Sequence, residues 1–145
     1  MSMLTNQNIE NEPVLKSWFG RDIPFDDNQF EAVITLSASI VLQQSCMVDE
    51  VARVIRDGGE IFIAYLSLRS GIFQGSEQID VNLYKISEEC DGIYFKHQVV
   101  FSASDEDLRS IWSDQFDVEV RRFEFGGGKT FQSLQVVTGK RKLIY

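Results

Sequence analysis

The chain has one histidine, two cysteines and two prolines in 145 residues, and each scarcity excludes something. Cys46 and Cys90 stand apart, with no CxxC spacing and no clustering with His97, so they build neither a disulfide framework nor a structural zinc site. Basic residues are outnumbered: 14 Lys and Arg against 22 Asp and Glu give a net charge of −8. A sequence-independent grip on nucleic-acid phosphates needs the opposite balance. The two small basic densities, Arg121-Arg122 and Lys140-Arg141-Lys142, read as a solvated strand face and a tail. No apolar run approaches the roughly 20 residues of a membrane span, and the opening Met1-Ser2-Met3-Leu4-Thr5-Asn6 lacks a basic region followed by an apolar one. The expectation is a soluble, cytoplasmic protein that binds neither nucleic acid nor membrane.

What is present is enough for one core. With 43% hydrophobic and 12% aromatic residues, a chain of this length closes a single domain, assigned here to residues 21–145. Residues 1–12 are polar and rich in Asn and Glu, and Val14-Leu15 and Trp18-Phe19 then place four large apolar side chains in a short span. Residues 1–20 therefore read as an arm that docks on something.

The stretch from Asp22 to Leu66 organises the rest. Pro24 and the turn residues Asp26-Asp27-Asn28 redirect the chain into a strand over Ala32 to Leu36. This strand is apolar on both faces, as a strand covered by helices on both sides would be. Met47, Val48, Val51, Ala52 and Ile55 then recur at helical spacing, with Asp49, Glu50, Arg53 and Arg56 on the other face. Gly58 or Gly59 is expected to end this helix in the left-handed conformation, and Ile61 to Leu66 follows as a second buried strand. This is the grammar of a parallel βαβ unit. Ser37-Ala38-Ser39, after the first strand, is a small-residue turn where backbone can approach a ligand, or simply a tight strand-to-helix loop.

Beyond Leu66 the pattern changes to alternation. Residues 78–86 and 92–101 both alternate apolar and polar positions, with Glu88 to Gly92 between them as a turn, which predicts an antiparallel hairpin. Ser104-Asp105-Glu106-Asp107 is a helix start, with a hydroxyl cap and acids in the first turn, and Leu108, Ile111 and Trp112 supply its buried stripe. Val118 to Phe125 and Phe131 to Thr138 are two strands joined through Gly126-Gly127-Gly128. The run Gly128-Lys129-Thr130 is not a phosphate loop: Phe123 stands where the leading glycine belongs, and a strand follows instead of a helix.

Ile23-Pro24-Phe25-Asp26-Asp27-Asn28-Gln29-Phe30-Glu31, followed by Glu50-Val51-Ala52-Arg53-Val54-Ile55-Arg56-Asp57-Gly58-Gly59, resembles the middle of class I S-adenosylmethionine-dependent methyltransferases of the small-molecule type. There a Leu-Pro-Phe-x-Asp-x-x-Phe-Asp phrase enters the fourth strand, and a Glu-Ile-x-Arg-Val-Leu-Lys-Pro-Gly-Gly phrase leads to the fifth. The resemblance extends more faintly to Lys140. It implies an α/β fold: a truncated Rossmann-like methyltransferase sheet with one parallel βαβ unit, a hairpin insertion and a C-terminal antiparallel strand pair.

It also implies a site, and a deficit. Thr35, Leu36, Ser37 and Ala38 match the floor of the cofactor pocket. Tyr94 and His97, on the hairpin, match the acceptor side, with His97 placed to act as a base and a small molecule as the methyl acceptor. The family's glycine-rich cofactor loop has no counterpart, because Gly20 is the only glycine before Asp22. The chain resembles the second half of such an enzyme, and the resemblance implies weakened or absent binding of S-adenosylmethionine. With the first strands missing, Ala32 to Leu36 becomes an apolar sheet edge, which invites pairing with a second copy or a complementing chain unless the arm folds over it. Two functions remain open: a methyltransferase that is incomplete or dependent on a partner chain, and a non-catalytic methyltransferase-like interaction or regulatory subunit. A gene fragment with a self-sufficient half-sheet is a third, less informative reading.

Overall fold

A computed structural model describes residues 22–36, 38–40, 43–87 and 98–143. The expected arm at 1–20, the Glu88 to Gly92 turn, Ser37, Tyr94 and His97 lie outside the described residues.

The βαβ unit is present. Strand β1 (Phe30–Thr35) leads through a short 3-10 turn (Ala38–Ile40) into helix α1 (Gln44–Val54), and strand β2 (Ile55–Leu66) returns parallel to β1. Val33 lies opposite Ile61 and Ile34 opposite Phe62. Helix α1 forms where apolar spacing dictates, burying Met47, Val48, Val51, Ala52 and Val54. Its end differs from the expectation. The helix stops at Val54, Ile55 is already extended, and Gly58 takes its positive φ of 73° inside β2 rather than at a helix cap. Ile55 pairs with Phe30 and Glu60 with Ala32, so Arg56 to Gly59 are extruded as a bulge between the two pairs. Gly59 permits the tight return, since a Cβ there would sit 2.6 Å from Ile55 Cγ1 and 2.8 Å from the Arg56 carbonyl oxygen.

The C-terminal part closes the sheet. Helix α2 (Asp105–Trp112) starts where expected, with Ser104 Oγ accepting from the Asp107 backbone N–H at 3.1 Å. Strands β6 (Phe116–Phe125) and β7 (Gln132–Arg141) form the expected antiparallel pair, and β7 also pairs antiparallel with β2. The strand order is β1-β2-β7-β6, so β1 is a sheet edge among the described residues. Both helices cover one face, where Ile61, Ile63, Tyr65 and Val137 meet Met47, Val51, Leu108 and Trp112. The face bearing Ile34 and Phe62 has no described helix over it: Ile34 is 69% exposed. The two-sided cover expected for β1 is therefore seen on one side only.

The hairpin region forms its own sheet, in the order β3 (Glu77–Asp80), β4 (Leu83–Lys85), β5 (Val99–Phe101). The antiparallel pairing of β4 with β5 matches the expected hairpin. An additional turn at Val81-Asn82 splits the first arm in two. Asn82 supplies the positive φ of 58° that a tight turn requires, and Asp80 Oδ1 accepts from the Val81 N–H at 2.7 Å. Among the described residues, no helix is long and apolar enough to cross a membrane.

Candidate functional site

In open α/β sheets the carboxyl ends of parallel strands are where ligands bind, and here that position is the turn between β1 and α1. Thr35, half-buried, ends β1, and Leu36 beyond it is 66% exposed. The backbone of Ala38 enters the 3-10 turn. Ser39 pins the turn to the sheet: its hydroxyl donates to the Ala64 carbonyl of β2. Gln44 holds it from the helix side, donating from Nε2 to the Ser39 carbonyl at 2.7 Å.

That glutamine is itself oriented. Tyr65 Oη donates to Gln44 Oε1 at 2.7 Å and accepts from Trp112 Nε1 at 3.0 Å. One continuous series of hydrogen bonds thus runs from α2 through β2 and α1 to the turn after β1. Burial pushes the Tyr65 phenol well above its ordinary range, because a phenolate would be left in an apolar core. It stays a neutral donor, and Gln44 keeps one amide orientation.

Beside the turn lies a cleft of about 420 Å³ lined by Ile40, Gln43, Gln44, Leu83, Val99 and Phe101. Its floor is the turn and the start of α1; its other wall is the small sheet. The lining is aliphatic and aromatic, broken by two side-chain amides, which is the character of a small-molecule site. These residues can strip water from a ligand and orient it, but none of them can move a proton. Among the described residues, no three His, Cys, Asp or Glu side chains are grouped to hold a metal ion.

The segment leading into β1 is fixed by Arg53. Its Nη1 donates to the Phe25 carbonyl and to Asp27 Oδ1, both at 2.8 Å, its Nη2 to the Ile23 carbonyl at 2.7 Å, and its Nε to Glu50 Oε2 at 2.6 Å. Glu50 Oε1 also accepts from the Ile23 N–H at 2.8 Å. The hydrogen bond from Arg53 holds the Glu50 carboxyl below its usual value, and the same bond raises the Arg53 guanidinium.

Of the residues singled out from sequence, Thr35 ends β1, Leu36 follows it and Ala38 opens the 3-10 turn, whereas the cleft is lined from Ile40 onward. Sequence reasoning did not foresee the hydrogen-bond roles of Ser39, Gln44, Tyr65 and Trp112. Tyr65 carried a usable signal: a phenol inside an otherwise apolar strand needs a polar partner. Gln44 carried none, because its role depends on which residues the fold brings to it.

No protein-family model and no curated protein sequence matches the chain. Solved structures do match it. A S-adenosylmethionine-dependent methyltransferase from Methanosarcina mazei superposes with a TM-score of 0.66 at 12% identity, over 85% of this chain and 64% of that one. The 1,6-didemethyltoxoflavin-N1-methyltransferase of Burkholderia thailandensis, solved with 1,6-didemethyltoxoflavin and S-adenosylhomocysteine, gives 0.57 at 10% identity over 82% and 47%. A Haloferax volcanii methyltransferase in complex with the Trm112 methyltransferase activator gives 0.54 at 14% identity over 84% and 58%. The fold is that of the class I methyltransferases, and the chain spans about half to two thirds of the length of these neighbours.

Proposed function

We propose that this chain is a S-adenosylmethionine-dependent methyltransferase-like protein whose cofactor binding depends on a complementing polypeptide at the Ala32 to Leu36 edge. The observation that carries the reading is the position of β1. It ends the sheet among the described residues, while the superposed methyltransferases continue well past the matched part. A chain pairing with β1 would extend the sheet where the described residues end it. A second copy is one way to provide that extension and a separate chain is the other.

The residues present fit one wall of such a site. Thr35, Leu36, Ser37 and Ala38 would form the floor under the cofactor, and the largely apolar cleft that begins at Ile40 would receive the acceptor. When bound, the cofactor supplies an electrophilic methyl group on a sulfonium sulfur. Ile40, Leu83 and Phe101 would exclude water from the acceptor, and the Gln43 amide would orient it at the mouth. In-line positioning is the main source of rate in such a transfer. In this proposal His97 takes the acceptor's proton and Tyr94 borders it.

Calorimetric titration with S-adenosylhomocysteine tests the dependence on a partner. The chain alone, held monomeric, is expected to show no saturation up to about millimolar ligand, a limit of roughly 4 kcal/mol of binding free energy. Tight binding by the monomer would overturn that dependence. Saturable binding that appears only with the dimer in sedimentation would support the self-complementing form. A dimer that forms yet stays silent would favour the non-catalytic reading, an interaction or regulatory subunit, which the purely apolar and amide lining of the described cleft also favours.

A further inference from the structure

Among the described residues six polar ones are buried, and five of them, Ser67, Ser70, Ser102, Ser133 and Gln135, gather where β2 ends against β7. Two side-chain atoms in this group, Ser133 Oγ and Gln135 Oε1, have no hydrogen-bond partner among the described residues. The Gln135 amide cannot turn over to relieve this. Its Nε2 donates to the Ala103 carbonyl at 2.9 Å and to Asp105 Oδ1 at 2.6 Å, and a reversed amide would set its oxygen against both acceptors. Oε1 is therefore an oriented acceptor on a side chain that is 1% exposed, and buried acceptors are normally matched by a donor.

Gln135 shares the wall of a second cavity, of about 260 Å³, with Leu68, Tyr84, Ser102, Ala103 and Arg122. That is many times the roughly 30 Å³ that one water occupies in the liquid. The small sheet separates this cavity from the cleft beside the β1 turn. Leu83 and Phe101 line that cleft, whereas Tyr84 and Ser102, their neighbours on the opposite side of the pleat, line this one. Arg122 lies directly across from Gln135 in the β6–β7 ladder, so the two side chains stand together on one face. Of the five N–H donors of a guanidinium, Arg122 engages Nη2, on Asp105 at 3.1 Å, and its side chain is 33% exposed. A fixed acceptor thus sits beside a cation with further donors to offer.

We propose that this cavity binds a small apolar α-amino acid. The ammonium donates to Gln135 Oε1, close to the Asp105 carboxylate that orients the same amide. The carboxylate pairs with the Arg122 guanidinium, which swings on its exposed stem to admit the ligand beside the glutamine. The side chain rests on Leu68, Ala103 and Tyr84. A plain carboxylic acid satisfies Arg122 alone, and a plain amine satisfies Gln135 alone. The site is separate from the cofactor and acceptor positions proposed above and does not rest on the methyltransferase reading.

The test is titration of the natural chain with L-alanine, L-valine and L-leucine, followed through the NMR signals of the Gln135 side-chain amide. At least one of the three is expected to shift those signals saturably by about 10 mM. The matching carboxylic acid and the matching amine, isovalerate and isobutylamine for L-valine, are each expected to bind about tenfold or more weakly. Arg122→Met leaves the bond between Gln135 and Asp105 in place and is expected to abolish saturation while the backbone amide spectrum away from the site is unchanged. Silence with all three amino acids would overturn the proposal. So would a carboxylic acid that binds as well as its amino acid, because the contact would then be an unspecific one between an anion and Arg122. Undiminished binding by a folded Arg122→Met chain would overturn it as well, and the comparison of analogues on the natural chain decides the matter if that variant does not fold.

Discussion

Arg53 of α1 donates to the backbone carbonyl of Ile23 at 2.7 Å, across thirty positions of sequence. With its bond to the Phe25 carbonyl, it grips the chain on both sides of Pro24, the residue that turns the polypeptide toward β1. The two sequence phrases that resemble the methyltransferases, one around Ile23-Pro24-Phe25 and one around Glu50 to Arg53, are thus two halves of one contact. A planar fork with several donors is needed to reach two carbonyls and two carboxylates together. Arg53→Ala is expected to lower the thermal midpoint by several degrees. Arg53→Lys should recover only part of the loss, because one ammonium cannot span both carbonyls. Equal midpoints for Lys and Arg would show that charge alone, not the fork, holds the segment.

Glu50 gives the same contact a pH dependence. Its carboxyl accepts from Arg53 and from the Ile23 N–H, which holds its folded value below the ordinary 4.5. A depressed folded value means that the stabilisation is fully present above the unfolded value and is lost as pH falls through the folded one. The difference in midpoint between the natural chain and Glu50→Gln should therefore be constant from neutrality down to about pH 4.5 and shrink below it. A difference that grows on acidification would reverse the assigned sign.

Tyr65 links Trp112 to Gln44, and its loss should be felt at both ends. Tyr65→Phe keeps the ring but leaves the buried Trp112 N–H without the Tyr65 acceptor and removes the hydroxyl that donates to Gln44 Oε1. The expected cost is about 1–3 kcal/mol by denaturant unfolding. Trp112→Phe removes the N–H that Tyr65→Phe leaves unpaired, so the double variant should cost less than the sum of the two singles. Strict additivity would mean that the three side chains do not act as a connected network.

These contacts mark where sequence reading stopped. Its successes came from local patterns: apolar periodicity placed α1 and α2, and the Ser104 cap with three following acids fixed the start of α2. Gly58 misled, because a glycine pair after an amphipathic run usually ends a helix, whereas β1 captures Ile55 as a strand residue first. That pairing is tertiary and leaves no mark in the run itself. The split of the hairpin arm at Asn82 was locally visible only as one turn-forming residue inside an alternating stretch. The end of β1 was legible because a strand followed by small residues marks itself in sequence, but the constraints there join Ser39 to Ala64, 25 positions on, and Tyr65 to Trp112, 47 positions on, and only folding brings them together.

The exposed flank of β1 makes the last prediction. Ile34 and Leu36 point to water at a strand whose outer edge has no partner among the described residues, and unpaired apolar edges associate. Charged side chains are the usual natural block to such pairing, so Ile34→Lys and Leu36→Lys should each shift sedimentation toward monomer. Because both side chains are already mostly solvated, the change in unfolding free energy at low protein concentration should stay within about 0.5 kcal/mol. A loss well beyond that would mean the residues are covered within the monomer. An unchanged assembly state would place self-association elsewhere and leave the β1 edge to a separate complementing chain.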